Sequence, residues 1–240
     1  MQHNVRVGCA GWTIPSEQAD SFPAVGTHLQ RYAARFSIVE INTSFDKPHR
    51  QKTYQDWAAV VPPSFRFAVK LPKQITHDSR LADLSAIGFF LPNVTGLGEK
   101  LGPLLMQLPT SVAFDAEKVS TFLLALRDRF AGDVVCEPRH SSWFTDEADR
   151  LLVDFRVARV ATDPAPSPLA AEPGGWDGLI YYRLHGSPQM YYSGYGREFI
   201  DTMAARLAGR TGEAPVWCIF DNTAWGEATG NALALRQALV

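Results

Sequence analysis

Short apolar runs recur along the chain, and most of them close on polar residues. They read "VRVGCAG" (5–11), "SIVEIN" (37–42), "FRFAVKLP" (65–72), "PLLMQLP" (103–109), "DVVCEPR" (133–139), "VARVATD" (157–163), "GLIYYRLHG" (178–186) and "APVWCIFDN" (214–222). Several are nearly unbroken, as expected of parallel strands covered on both faces. Helical patterns fill the intervals. "GTHLQRYAARF" spaces Leu29, Tyr32, Ala33 and Phe36 on one face. "DAEKVSTFLLALRDRF" begins on Asp115, an N-cap residue, and aligns Val119, Phe122, Leu123 and Leu126. "TDEADRLLVDF" repeats that logic, and "TAWGEATGNALALRQAL" closes the chain. The exception is "PAPSPLAAEPGGW", rich in Pro and Gly, which predicts a loop with little helix.

Eight strand-then-helix units predict an α/β protein, a single (β/α)8 TIM-type barrel over residues 1–240, close to the ~250 residues usual for that fold. A doubly wound open sheet is the runner-up, but no strand leads into a glycine-rich dinucleotide fingerprint.

Composition narrows the classes. At 46% hydrophobic and 20% charged, the 240 residues can bury a core. A formal net charge of −2 gives no global attraction to nucleic acid or anionic membrane. No apolar run reaches the roughly 18 residues of a membrane span. The opening "MQHNVRVGCAGW" lacks a basic segment followed by an apolar core, so a cytoplasmic location is expected. Cys9, Cys136 and Cys218 sit singly in apolar stretches, the pattern of buried free thiols.

Strand parity then places the chemistry. In such a barrel the carboxyl ends of the strands carry the active face, and side chains alternate between interior and helix layer. Glu40 and Asn42 share a parity, as do Glu137 and Arg139, and Arg183 and His185. Lys70 and Gln107 lie near the ends of their strands. Asp221 and Asn222 have opposite parity, and Asp221 is expected to face the helix layer. The competing reading is structural, since acid–guanidinium pairs at a strand end can simply neutralise each other.

Among chemistries, acid–base catalysis by Glu40 or Glu137 with His185 fits a cavity that tunes their protonation. Glycoside hydrolysis is disfavoured by carboxylates on strands two and five, an unusual placement in barrel glycosidases. His77, His140 and His185 lack metal-ligand spacing, and Arg139 and Arg183 would repel a cation, so no catalytic metal is expected. GxSxG and Walker sequences are absent. The glycine-bearing "QMYYSGYG" offers Tyr191, Tyr192 and Tyr195 for stacking on a planar group.

In order along the chain, "GCAGW", "VEINTSFDKP", "FAVKLPKQITH", "KLGPLLMQLP", "CEPRHSSWF", "YYRLHG" and "FDNTAWGEATGNA" resemble the family called domain of unknown function 72, or YecE-like. The resemblance spans essentially the whole chain and implies a TIM-type barrel, with no settled activity. Departures are Cys9 and Ala10 where Thr and Ser are common, Asp46 for Tyr, and Asp221 for Asn.

The reading favoured is an enzyme, of hydrolase or isomerase type, acting without metal on a small anionic ligand, phosphorylated or polyhydroxylated. Glu40, Glu137 and His185 would move protons. Asn42, Lys70, His77, Gln107, Arg139, His140, Arg183, Tyr192, Tyr195 and Asn222 would hold the ligand. Arg183 is expected to keep a donor face free, so that its loss abolishes anion binding at little cost in stability. The alternative is a non-catalytic module gripping nucleic acid or a partner through the same basic, aromatic mouth. No motif names a cofactor, an oligomeric state or a membrane partner.

Overall fold

Among the described residues ten strands form two sheets, most of them built on β-branched and other apolar runs. The computed structural model describes residues 5–210 and 214–240; residues 1–4, part of the segment read above for a secretory leader, lie outside it. The strands are β1 (Val5–Cys9), β2 (Ile38–Ile41), β3 (Arg66–Lys70), β4 (Leu101–Gln107), β5 (Val134–Glu137), β6 (Val157–Arg159), β7 (Ala161–Asp163), β8 (Gly174–Gly175), β9 (Ile180–Leu184) and β10 (Val216–Phe220). One sheet runs β1-β10-β9-β7 and the other β2-β3-β4-β5-β6-β8. Every pairing is parallel except that of the two-residue β8 with β6. The protein is therefore a mixed α/β fold with parallel-rich sheets.

Each of the eight predicted strands is present, the sixth as β6 and β7. These two are one run interrupted at Val160, whose N–H reaches Cys136 O on β5 at 2.8 Å. So β6 pairs with one sheet and β7 with the other. At the opposite junction Ala10 bridges Glu40, and Gly11 N–H donates to Glu40 O at 2.8 Å. Tyr32, fully buried, ties the same place: its hydroxyl accepts from Cys9 N–H at 2.8 Å and donates to Ile38 O at 3.0 Å. Gly8 is required there, because a Cβ would lie 2.4 Å from Ile38 O.

Seven α-helices accompany the strands among the described residues: α1 (His28–Ala33), α2 (Gln51–Ala59), α3 (Ser85–Val94), α4 (Ala116–Arg127), α5 (Asp146–Asp154), α6 (Arg197–Ala208) and α7 (Glu227–Ala238). Asp115 caps α4 as expected, accepting from Lys118 N–H at 3.0 Å. Thr145 does the same for α5. The loop with little helix expected after the sixth strand is present. Between β7 and β9 the proline-rich stretch forms only a 3-10 turn (Pro168–Ala171) and β8, because its prolines and glycines remove donors and backbone stiffness that a helix needs.

Two apolar cores result. The larger packs the outward strand residues against the helices. The smaller joins Ile38, Ala68, Leu105, Val135, Tyr181 and Ile219, one from each of six strands, with their neighbours on the same face. Two residues further along, on that inner face, the chain places Glu40, Lys70, Gln107, Glu137, Arg183 and Asp221. Alternation carries the apolar floor directly into a charged layer.

Candidate functional site

Arg183 is the hub of that layer. It is 1% exposed on β9, and three carboxylates surround it. Its Nε and Nη2 grip Glu40, with Nη2 2.7 Å from Oε1. Nη1 donates to Glu137 Oε2 at 2.5 Å, and Nη2 also donates to Asp221 Oδ2 at 2.9 Å. The second oxygen of Glu40 additionally accepts from Tyr181 O–H at 2.8 Å. Both oxygens of that carboxylate are thus engaged.

His185 lies beside the hub with a carboxylate at each ring nitrogen, Asp221 Oδ2 and Glu137 Oε1, both at 3.0 Å. Burial alone would depress its pKa, but Glu137 and Asp221 outweigh burial and hold it above the ordinary value. A carboxylate at each nitrogen favours the protonated ring, while Arg139 Nη2 also lies 3.0 Å from Nε2. Arg139 completes the cluster, its Nε 2.7 Å and its Nη2 2.6 Å from Glu137 Oε1. Burial likewise opposes ionisation of Glu137, yet Arg183, His185 and Arg139 together hold that carboxyl well below the usual range. Asp221 is lowered in the same way, against its burial, chiefly by Arg183.

Lys70 is different. Its ammonium sits 4.1 Å from the centre of the Phe45 ring, and among the described residues no oxygen accepts a hydrogen bond or pairs with it. Burial, then Arg183, lower its pKa, while Asp221, Glu40 and Glu137 pull only partly against them. His77 stands edge-on to the same Phe45 ring at 4.8 Å, lowered by burial and by Lys70. Asn42 donates to Asp221 Oδ1 at 3.1 Å and leaves its own buried Oδ1 without a partner.

The structure therefore brings Glu40, Asn42, Lys70, Glu137, Arg139, Arg183 and His185 to one face, with Gln107 in register opposite Glu137. Other expectations need correction. Asp221 faces the charged layer and not the helices, because Trp217, Ile219 and Asp221 share a parity and the first two belong to the inner core. Asn222 consequently points the other way: its Nδ2 donates to Ser193 O and Asn231 Oδ1, holding a loop. Tyr195 is buried, stacked on Phe199, and its hydroxyl bridges Gly186 N–H and Asp163. It offers nothing to a ligand. Arg183 is also spent on carboxylates, so the free donor face expected of it is missing. His140 Nδ1 accepts from Ser142 N–H and caps a short turn at 141–143. Asp221 and Tyr181 were the residues missed; Asp221 follows by alternation once Trp217 and Ile219 are known to face inward.

The loop after β9 is joined to the site. Tyr191 N–H donates to His185 O, its ring stands edge-on to the His185 ring, and Met190 Sδ lies 3.7 Å from Arg139 Nη1. Tyr192 is exposed at the rim and pairs with exposed Trp225, their centroids 5.1 Å apart. Gly186 makes this loop possible. It holds φ +92°, and a Cβ would lie 2.5 Å from Ser193 O. Gly186→Ala is expected to cost about 1–3 kcal/mol and to expose the loop, read as faster limited proteolysis within residues 187–196 at unchanged secondary structure.

Elsewhere the chemistry is quiet. The three cysteines are free and buried, and burial pushes each thiol up, Cys9 to about 12. Among the described residues no three His, Cys, Asp or Glu side chains are grouped to hold a metal ion, and no helix is long and apolar enough to cross a membrane.

A buried arginine in a ring of acids, closed by a histidine and approached by an unpaired lysine, is the hallmark of this chain's inner face. The chain belongs to the family described as protein of unknown function DUF72, whose model matches residues 6–240. It is 27% identical over 164 residues to the UPF0759 protein YunF of Bacillus subtilis, covering 64% of this chain and 57% of that protein. To the UPF0759 protein YecE of Escherichia coli it is 28% identical over 147 residues, covering 58% and 53%. The matches thus span little more than half the length of these relatives. A crystal structure of a DUF72 family protein from Thermotoga maritima aligns with TM-score 0.77 and 25% identity over 98% of each chain. One from Enterococcus faecalis aligns with TM-score 0.79 and 22% identity, over 99% of this chain and 98% of that one.

Proposed function

We propose that the protein is an enzyme of one (β/α)8 barrel domain that binds a small anionic ligand at the carboxyl ends of its strands and moves protons there without a metal. Two junctions support the barrel. The run β6–β7 belongs to both sheets, and the Ala10–Glu40 bridge joins their other edges. The observation that carries the binding reading is charge balance. Three carboxylates, Glu40, Glu137 and Asp221, face Arg183, Arg139, Lys70 and protonated His185. One positive charge is left over, and Lys70 is the cation that no carboxylate engages. An anion seated against Lys70 and the partly open Arg139 balances the cluster. Neutral or cationic ligands would not.

Proton transfer falls to groups with atoms open to that ligand. Glu40 is saturated by donors, and Glu137 is held too acidic to act as a base near neutrality. Lys70 and His77, both lowered, and the His185 imidazolium beneath them are the exchangeable groups. Isomerisation and hydrolysis both lie within that repertoire. Titration calorimetry with inorganic phosphate is the test. Arg139→Met should weaken binding at least tenfold and flatten its salt dependence. Absence of phosphate binding in the unaltered protein, together with salt-sensitive binding of a single-stranded oligonucleotide, would favour a non-catalytic nucleic-acid module instead.

A further inference from the structure

The charged layer distributes its acids unevenly. All three carboxylates converge on Arg183, and two of them also on His185, whereas Lys70 receives none. A lysine kept as a counter-ion would be expected to face one of those acids. Instead its nitrogen rests on the Phe45 ring, which fixes its direction without occupying a hydrogen-bond acceptor. The other cations of the layer are Arg183 and Arg139, which stay protonated under all ordinary conditions, and His185, whose two ring nitrogens both face carboxylates. Lys70 alone among them has a nitrogen that no carboxylate holds and that can present a lone pair. Beside it, Ile41 is registered with Val69, so Asn42 and Lys70 follow side by side on β2 and β3. The unpartnered Oδ1 of Asn42 needs a hydrogen-bond donor.

We propose that Lys70 is a nucleophile that forms a Schiff base with a small anionic hydroxy-carbonyl compound. This deepens the anion-binding reading and rests on it: Arg139 holds the anion, Asn42 Oδ1 accepts from the hydroxyl, and Lys70 Nζ meets the carbonyl carbon. Burial and the Arg183 charge favour release of the ammonium proton that precedes attack. The nitrogen lone pair forms the C–N bond, and the carbonyl π pair moves to oxygen. Protonation of that oxygen and expulsion of water give the iminium. Written from ammonium to iminium, the exchange releases one water and no net proton, so the charge of the layer is conserved. No metal or redox partner is needed. The iminium withdraws electrons from the adjacent carbon, which labilises a C–H or C–C bond there, the step that isomerisation requires.

Reductive trapping tests this. The full-length protein is incubated with dihydroxyacetone phosphate or hydroxypyruvate, sodium cyanoborohydride is added, and peptides are mapped by mass spectrometry. The remaining lysines, Lys47, Lys52, Lys73, Lys100 and Lys118, serve as internal references. Lys70 should be labelled at least tenfold faster than any of them, and phosphate should slow its labelling. Lys70→Arg should abolish the fast adduct while leaving the reference lysines unchanged; Lys70→Gln repeats the test should arginine perturb folding. Labelling spread evenly over the lysines, or none at Lys70 with either compound, overturns the proposal. Phosphate titration on the same wild-type preparation separates the failures. Retained phosphate binding with no trapping sinks the Schiff base alone, whereas loss of both sinks the anion site as well.

Discussion

Replacing Arg183 with methionine is expected to destabilise the protein by about 3–5 kcal/mol, measured by urea unfolding at neutral pH. The side-chain length is nearly kept, but Glu40, Glu137 and Asp221 lose a shared partner inside a layer almost closed to water. Glu137 keeps Arg139 and His185, and Asp221 keeps His185, but Glu40 would have to take up a proton or remain an uncompensated buried charge, and both are costly. Glu40 suffers most, because among the described residues its ion pair is with Arg183 alone and only Tyr181 O–H would remain. Loss of ligand binding at unchanged stability would show that the arginine is held for the ligand and not for the acids. Arg183→Lys should recover little, since one ammonium cannot reproduce donors aimed at three carboxylates.

Glu137, Asp221 and His185 favour a stability maximum between about pH 4.5 and 6.5, which His49 and His77, both lowered chiefly by burial, draw toward its upper end. On the acid side, Glu137 and Asp221 have folded pKa values below their ordinary 4.5 and 3.8. Their contribution is complete above those values and is lost as pH falls through the lower folded ones. His185 works in the opposite sense. Its folded pKa is raised above the ordinary 6.5, so its contribution is complete below 6.5 and is lost as pH rises through the folded value. One linked proton gives a limiting slope of about 1.4 kcal/mol per pH unit. Urea unfolding from pH 3 to 9 checks the shape. His185→Asn should be less stable at pH 6 but lose the alkaline fall, leaving the acid limb in place. Wild-type stability that keeps rising from pH 6.5 to 8 would contradict a protonated His185.

Period-two alternation explains how much of this was readable in the chain. Once Glu40, Glu137, Arg183 and His185 fall at strand ends with the right parity, their meeting follows from the pleat. The adjacent polar pair Asp221-Asn222 defeated the same rule, since either could face inward and only the preceding Trp217 and Ile219 decide it. Tyr195 and Asn222 lay beyond reach for another reason. Their partners, Asp163, Gly186, Ser193 and Asn231, come from loops and a helix whose return path no local pattern specifies. Nor does composition distinguish a spent cation from an open one. Arg183 and Lys70 look alike in sequence; counting the carboxylates around each requires the fold.

Glu40 joins two roles in one residue: its backbone bridges Ala10, just past β1, at the junction of the sheets, and its carboxylate binds Arg183, 143 positions away in the chain. The ion cluster can assemble only after both sheets have formed and met. Contacts of such separation close late, so the transition state for folding gains little from them. Weakening the cluster should then leave the refolding rate nearly unchanged and quicken unfolding. In that sense the charged layer acts as a latch on the finished molecule: it governs how long the native state persists once made, and has little part in how fast it is reached.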